Sequence, residues 1–317
     1  MHRRCRRHRA LGTLLVGLLL CAGLFLPGTP ASAGPTPLGL GTAAAFAIRA
    51  GSAVTNVPTS AITGDVGLSP AAGSSYAGLT CAEVTGTIYS IDGTGPAPCV
   101  VGDAGLMTTV EDDARAAFDH ASALPGATPI GPDLAGLELV AGLYSFGGAP
   151  TNLSGTLTLD AQADPDSVWI FQATSTLITS SASTVAFSNL PAGTTAAQMA
   201  CNVYWTVGSS ATLGSSSTFV GTILASASIS LATGATVTGR LLAANAPGDE
   251  GAVTLQQNTI VRPTGCAAGT PGTGGEPPPT PPGPPPTPDT PRGPDAPAAP
   301  AVPPPATPVV SPPRFTG

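Results

Sequence analysis

Leu213-Gly-Ser-Ser-Ser-Thr-Phe-Val-Gly-Thr-Ile-Leu-Ala225 and Leu231-Ala-Thr-Gly-Ala-Thr-Val-Thr-Gly-Arg-Leu-Leu-Ala243 lie over one another without a gap. Leu, Thr, Gly, Leu and Ala coincide, and Phe219 falls on Val237. A unit of this length cannot bury its apolar face alone and does so by stacking on its copies. Working outward, one column holds Val168 to Phe171, Val203 to Trp205, Thr222 to Ala225 and Arg240 to Ala243. A second holds Thr174 to Leu177, Ser210 to Leu213, Ser228 to Leu231 and Ala252 to Leu255. A third holds Thr184-Val185, Thr218-Phe219, Thr236-Val237 and Thr259-Ile260. Three short strands per repeat predict a mainly β protein, a three-sided β-solenoid in which each coil stacks on the last.

The columns differ in pattern, and the pattern assigns their roles. The first is apolar at consecutive positions, so both of its faces must be covered. The second alternates, with Leu inward and Ser or Thr outward. One long helix is legible, capped by Asp103, with Leu106, Val110, Ala114, Ala117, Phe118 and Ala121 at helical spacing and Pro125-Gly126 as its stop. It is the available cover for the first column. Phe118 and Leu106 are expected against Trp169, Tyr204, Ile223 and Leu242.

Residues outside the repeat bound the domain at 34–268. Five arginines between Arg3 and Arg9, the apolar run Leu11 to Leu26 and the small residues Ala31-Ser32-Ala33 read as a signal peptide over 1–33, and hence as a secreted, extracellular protein. From 269 to 317 the chain is mostly Pro, Gly, Thr and Ala, too poor in bulky apolar groups to bury a core, and is expected to be a disordered Pro-rich tail. Such a tail could hold the domain near a cell wall. Loss of the leader takes the formal charge from −7 to about −12, and the chain has no lysine. That balance excludes nucleic acid and, after cleavage, anionic membranes as partners. Cys81, Cys99, Cys201 and Cys266 remain in an oxidising compartment. Four cysteines allow three pairings; a local Cys81–Cys99 loop with Cys201–Cys266 is favoured. Their spacings are long and His120 is the one mature histidine, so no metal or cofactor is expected.

The candidate site is the outward lattice of the second column and the corner after it. Thr176, Thr212, Ser230 and Thr254 form one row, with Thr174, Ser210 and Ser228 beside it. The corner adds Ser181 with Thr184, Ser215 with Thr218, and Thr233 with Thr236. Coils about 4.8 Å apart and alternate residues about 6.7 Å apart make this a flat grid of hydroxyls and methyls. From Ser167 through Gly239 there is no charged or histidine side chain, whereas a solvated sheet face ordinarily carries some. An uncharged grid suits a partner made of ordered water, because a charge would impose its own hydration shell.

The segment Asn202-Val-Tyr-Trp-Thr-Val-Gly-Ser-Ser-Ala-Thr-Leu-Gly214, with Phe219 to Ala225, Gly239 to Ala243 and Ser60-Ala-Ile-Thr-Gly-Asp-Val-Gly-Leu-Ser-Pro70, closely resembles the microbial secreted ice-binding (antifreeze) protein family. The likeness spans essentially the whole folded domain. It implies a right-handed, discontinuous three-sided β-solenoid, one long α-helix packed alongside, and ice as the partner. It also implies a corner motif of Thr, Ala or Gly, any residue, then Thr or Asn. Thr233-Gly-Ala-Thr236 matches fully, Ser181-Ala-Ser-Thr184 has Ser for Thr, and Ser215-Ser-Ser-Thr218 departs at two positions. Gln256-Gln257-Asn258-Thr259 reads as a shorter turn outside the motif.

Two other classes compete. Polysaccharide lyases and hydrolases also use β-solenoids, but need paired carboxylates or a metal beside a base. The acidic clusters Asp160, Asp164, Asp166 and Asp249-Glu250 sit among turn residues, so no enzyme is expected and no catalytic residue is assigned. A cell-surface adhesin or structural module of the same fold, without ice activity, is the remaining alternative.

Overall fold

A computed structural model describes residues 34–245 and 250–266. The expected leader (1–33) and Pro-rich tail (269–317) lie outside the described residues. Every strand pairing is parallel, and the strands fall into three columns. The second side runs Thr151–Leu153, Leu177–Thr179, Ala211–Leu213, Ile229–Leu231, Val253–Gln256, Val54–Val57 and Tyr76–Ala77. The long strands Thr218–Ala225 and Thr236–Leu242 turn from the third side onto the first without interruption. Their shared bend needs glycine. Gly221 has φ 109°, and a Cβ on the stacked Gly239 would collide with the Gly221 carbonyl.

Spatial order is not chain order. The chain enters mid-stack at Phe46–Ala50, builds coils to one end at Val100–Gly102, and restarts at the opposite end with Thr128–Ile130. It then winds back until Thr236–Leu242 pairs with Phe46–Ala50, Ile48 beside Leu241 and Arg49 beside Leu242. The transfer between ends is made by the helix Ala104–Ala123. Nine strand spacings separate the ends on the first side, about 43 Å at about 4.8 Å each. Twenty helical residues cover about 30 Å. Residues 124–127 supply the rest as extended chain, at about 3.3 Å each.

The helix is anchored at both ends. Asp103 accepts the Leu106 N–H at 2.9 Å, and Gln172 Nε2 donates to the Ala121 and Leu124 carbonyls at 2.8 and 3.0 Å. Its buried stripe is Met107, Val110, Ala114, Ala117 and Ala121, spaced by three and four. Small residues let it approach closely, and Gly67 leaves the space that Met107 fills. The stripe packs on Ile170, Tyr204, Leu224 and Leu242. Tyr204 and Leu242 face the helix as expected, but Phe118 and Leu106 are only partly buried, and Trp169 and Ile223 point into the solenoid, so Ile170 and Leu224 take their places. Where both faces of a strand are apolar, parity cannot be read from hydropathy. The bulkiest rings go inside, where Phe171 and Trp205 stack at 4.0 Å and Trp205 meets Phe219 at 5.1 Å.

The two disulfides join Cys81 to Cys99 and Cys201 to Cys266, with Cα separations of 5.8 and 5.3 Å. The seam where Phe46–Ala50 meets Thr236–Leu242 carries a buried cation. Arg49 is fully buried, donates to the Ala243 and Ala244 carbonyls at 2.6 and 2.7 Å, and pairs with Glu111 of the helix at 3.1 Å. Burial pulls its guanidinium below the ordinary range, and the Glu111 carboxylate opposes that pull.

Candidate functional site

The helix covers the first side. On the second side the pairings align Asn152, Ile178, Thr212, Ser230, Thr254, Thr55 and Ala77 in one outward row. At about 4.8 Å per coil this row is about 29 Å long. The inward neighbours, Leu177, Ala211, Leu213, Ile229, Leu231, Val253 and Leu255, are buried. Alternation of small polar and aliphatic residues thus fixes which groups face out.

Register corrects one expected row. Leu177 pairs with Ala211 and Ile178 with Thr212, so Ile178 continues the Thr212–Ser230–Thr254 row while Thr176 lies level with Ser210. The shift is two residues, which preserves the outward face of Thr174 and Thr176 but puts a branched aliphatic, 41% exposed, among the hydroxyls. Thr174 and Thr212 are exposed, and Thr176, Ser210, Ser228, Ser230 and Thr254 are half-buried. Two serines are spent on stacking: Ser210 Oγ accepts the Ser228 N–H at 3.3 Å, and Ser228 Oγ accepts the Ala252 N–H at 3.0 Å.

The corner repeats more strictly than its sequence suggests. In four successive coils the second corner residue adopts positive φ: Ala182 (57°), Ser216 (55°), Gly234 (72°) and Gln257 (55°). The third is buried: Ser183, Ser217, Ala235 and Asn258. The fourth begins the third side, where Thr156, Thr184, Thr218, Thr236, Thr259 and Ala61 stand in one register. Gln256 to Thr259 shares these features, yet it is the shorter turn expected: Thr254 to Thr259 is five steps where the paired Ser230 to Thr236 is six. Ser181, Thr218 and Thr233 are exposed, with Thr184, Ser215 and Thr236 half-buried, and the Thr233 hydroxyl donates to Gln256 Oε1 at 3.1 Å. Sequence reasoning placed Thr259 in its row but missed Thr156, Thr55, Asn152 and Ile178. The Thr before an apolar residue was a usable signal for Thr156; Thr55 belongs to a coil whose neighbour in space, at Thr254, is remote in sequence, and Ile178 was hidden by the two-residue slip that also conceals Asn152.

The acidic residues serve turns. Asp160 accepts the Gln162 N–H and the Asn189 side chain at 2.8 and 2.9 Å, and Asp164 accepts the Asp166 N–H at 2.9 Å. Asp164 and Asp166 border an open cavity of about 580 Å³ with Thr36, Gln198 and Asn202, and no basic side chain lines it. Asp249 lies outside the described residues, Glu250 is exposed, and His120 is exposed on the helix. Among the described residues no three His, Cys, Asp or Glu side chains converge as a metal site.

Residues 48–261 match the model of a family described as Ice-binding-like. An ice-binding protein of a Colwellia species is 36% identical over 248 residues, covering 77% of this chain and 91% of that protein. One from Nostoc (strain HG1) is 40% identical over 222 residues, 70% of this chain and 72% of the relative. The crystal structure of an ice-binding protein from the Antarctic ascomycete Antarctomyces psychrotrophicus superposes with a TM-score of 0.58 at 34% identity, covering 72% of this chain and 99% of that one.

Proposed function

The chain belongs to the Ice-binding-like family, and from that premise we propose that it binds ice crystal surfaces and so restrains ice growth or recrystallisation. The binding surface is the second side together with the corner that follows it: Thr174, Thr176, Ser210, Thr212, Ser228, Ser230, Thr254, and Ser181, Thr184, Ser215, Thr218, Thr233 and Thr236. One observation supports this choice above others, the in-register rows of small uncharged groups standing on fully parallel, buried strands. A rigid grid loses little conformational freedom on binding, so many weak contacts through hydroxyls and methyls can sum. No charged side chain interrupts the rows to hold its own hydration shell.

The chemistry is adsorption. Hydroxyls of Thr212, Ser230 and Thr254 take positions that water oxygens would occupy, the methyls of Thr212 and Thr254 fill the gaps between, and the inward aliphatic layer holds the spacing. The corner threonines extend the same grid round the edge. A right-handed coil follows from the handedness of parallel β-crossovers. Export with removal of 1–33, and display near a cell wall through 269–317, belong to the same proposal; N-terminal sequencing and fractionation of the native protein test them.

The test of the face is a pair of bulky substitutions. Thr212→Tyr with Ser230→Tyr should abolish thermal hysteresis and ice shaping while leaving the circular dichroism of the fold unchanged. Thr238→Tyr, on the third side beyond the corner, should leave hysteresis intact. Val220, another residue of that side, is unsuitable as a control because it is buried. Equal loss from both variants would overturn the assignment.

A further inference from the structure

Beneath the corner lies a chain of buried polar groups that adsorption itself does not use. Asn258, Ser60, Asn56 and Glu83 are each 5% exposed or less. Asn258 Nδ2 donates to the Ala232 and Ala235 carbonyls of the preceding coil at 2.8 and 3.3 Å, and its Oδ1 accepts the Gln256 N–H at 2.6 Å. Its backbone N–H donates to Ser60 Oγ at 3.0 Å, in the coil that follows in space. The Ser60 hydroxyl donates to Asn56 Oδ1 at 2.7 Å. Glu83 Oε1 accepts Asn56 Nδ2 at 2.8 Å and the Ser60 N–H at 2.7 Å.

This chain of bonds crosses the seam, where strand Thr259–Val261 pairs with Ala61–Thr63 although some two hundred residues separate them in sequence. No covalent connection sets the relative height of those coils. Elsewhere the third corner residue serves its own turn, as when the Ser217 hydroxyl donates to the Gly214 carbonyl at 2.7 Å. Asn258 alone of the four bonds through its side chain to the coil on one side and through its backbone to a side chain on the other.

We propose that the Asn258 side chain is a positioning group of the ice-binding surface: by tying its corner to the preceding coil it sets the height at which its backbone N–H meets Ser60, and so the register of Thr259 with Ala61 and of Thr254 with Thr55 across the seam. The proposal rests on the ice-binding reading of that surface. Register matters there because a grid that slips at the seam is two short grids, each too small to hold a crystal face.

Asn258→Ala should remain folded near freezing and lose most of its thermal hysteresis, whereas Met107→Ala, destabilised at the helix instead, should keep it. Asn258→Asp gives a signature that general destabilisation would not. As a carboxylate it turns two oxygens toward carbonyls, and as a neutral acid it can donate to Ala232 and accept from Gln256 as the amide does. Its burial favours the neutral form. Hysteresis of Asn258→Asp should therefore be low at pH 8 and recover at pH 5, while wild type is level. The titratable group on this network is Glu83, whose hydrogen bonds hold it below the usual carboxylate range, so it stays ionised at both values. Undiminished hysteresis in folded Asn258→Ala, or a pH-independent Asn258→Asp, would overturn the proposal; should Asn258→Ala not fold, the Asp variant decides. Wild type without hysteresis would overturn ice binding instead. The register lock is then judged by exchange of the Ala61 amide, which donates to the Asn258 carbonyl at 2.8 Å: faster exchange in Asn258→Ala supports it, and the wild-type rate overturns it.

Discussion

Replacing Arg49 with Met should destabilise the protein by about 3–5 kcal/mol, the range for removing one partner of a buried charge pair. Methionine fills much of the same volume but cannot donate. Two carbonyls, Ala243 and Ala244, lose donors held at 2.6 and 2.7 Å, and Glu111 loses its 3.1 Å partner. The Ser69 carbonyl, at 3.4 Å, adds little. Glu111 keeps Arg115 at 2.9 Å and the Ser69 hydroxyl at 3.2 Å and is partly solvated, which holds the loss below the value for a fully stranded charge. For a domain of this size about 2–4 °C of melting temperature accompanies each kcal/mol, so calorimetry should show a fall of roughly 6–20 °C. Urea titration should give the same loss with the slope unchanged. Because Arg49 joins the N-terminal coils, the helix and the last coil, its effect should not add to that of Glu111→Gln: the double variant should lose less than the two singles together. A loss under about 1 kcal/mol, or strict additivity, would refute the view that this cation holds the seam.

Met107→Ala should cost about 2–5 kcal/mol by urea unfolding, since the side chain is fully buried against Gly67 and the first side, yet leave hysteresis intact near freezing. Loss of hysteresis in folded protein would mean that the helix shapes the binding face. Acid should weaken the fold through Glu83: burial pushes its carboxyl up, but hydrogen bonds from the Ser60 N–H, Asn56 and Thr80 outweigh that and leave it below the usual range. A depressed carboxyl contributes stability that is present above its unfolded value of about 4.3 and lost as pH falls through the folded one. Urea midpoints of Glu83→Gln should accordingly lie below wild type at pH 7 and converge on it below about pH 4; parallel curves would count against the network.

How much of this was legible in the sequence follows from how local each signal is. The repeat at Leu213 and Leu231 is local in sequence and in space, so its register, its three sides and the corner threonines Thr218 and Thr236 could all be read from it. The helix was legible from its spacing and its cap at Asp103. What failed was whatever depended on a neighbour brought in from elsewhere. Thr176 was set beside Thr212 because both precede a leucine, and a two-residue slip keeps the same alternation of inward and outward side chains, so nothing in the pattern could show it. The N-terminal coils were invisible as part of the surface because Thr55 meets Thr254, and Ala61 meets Thr259, across a seam that only folding creates. Asn258, in a turn read as lying outside the motif, drew no attention for the same reason. Its side chain donates to Ala232 and Ala235 and accepts from Gln256, which calls for an amide, while its backbone meets Ser60. A solenoid built in chain order would have no such joint, and a serine would serve every corner. The discontinuous order lets a helix transfer the chain between ends, and it leaves one interface whose alignment must be written in buried polar groups. Arg49 does this on the helix side and Asn258 on the side we assign to ice, so the two residues with the least to say in a reading of hydropathy hold the two halves of the grid together.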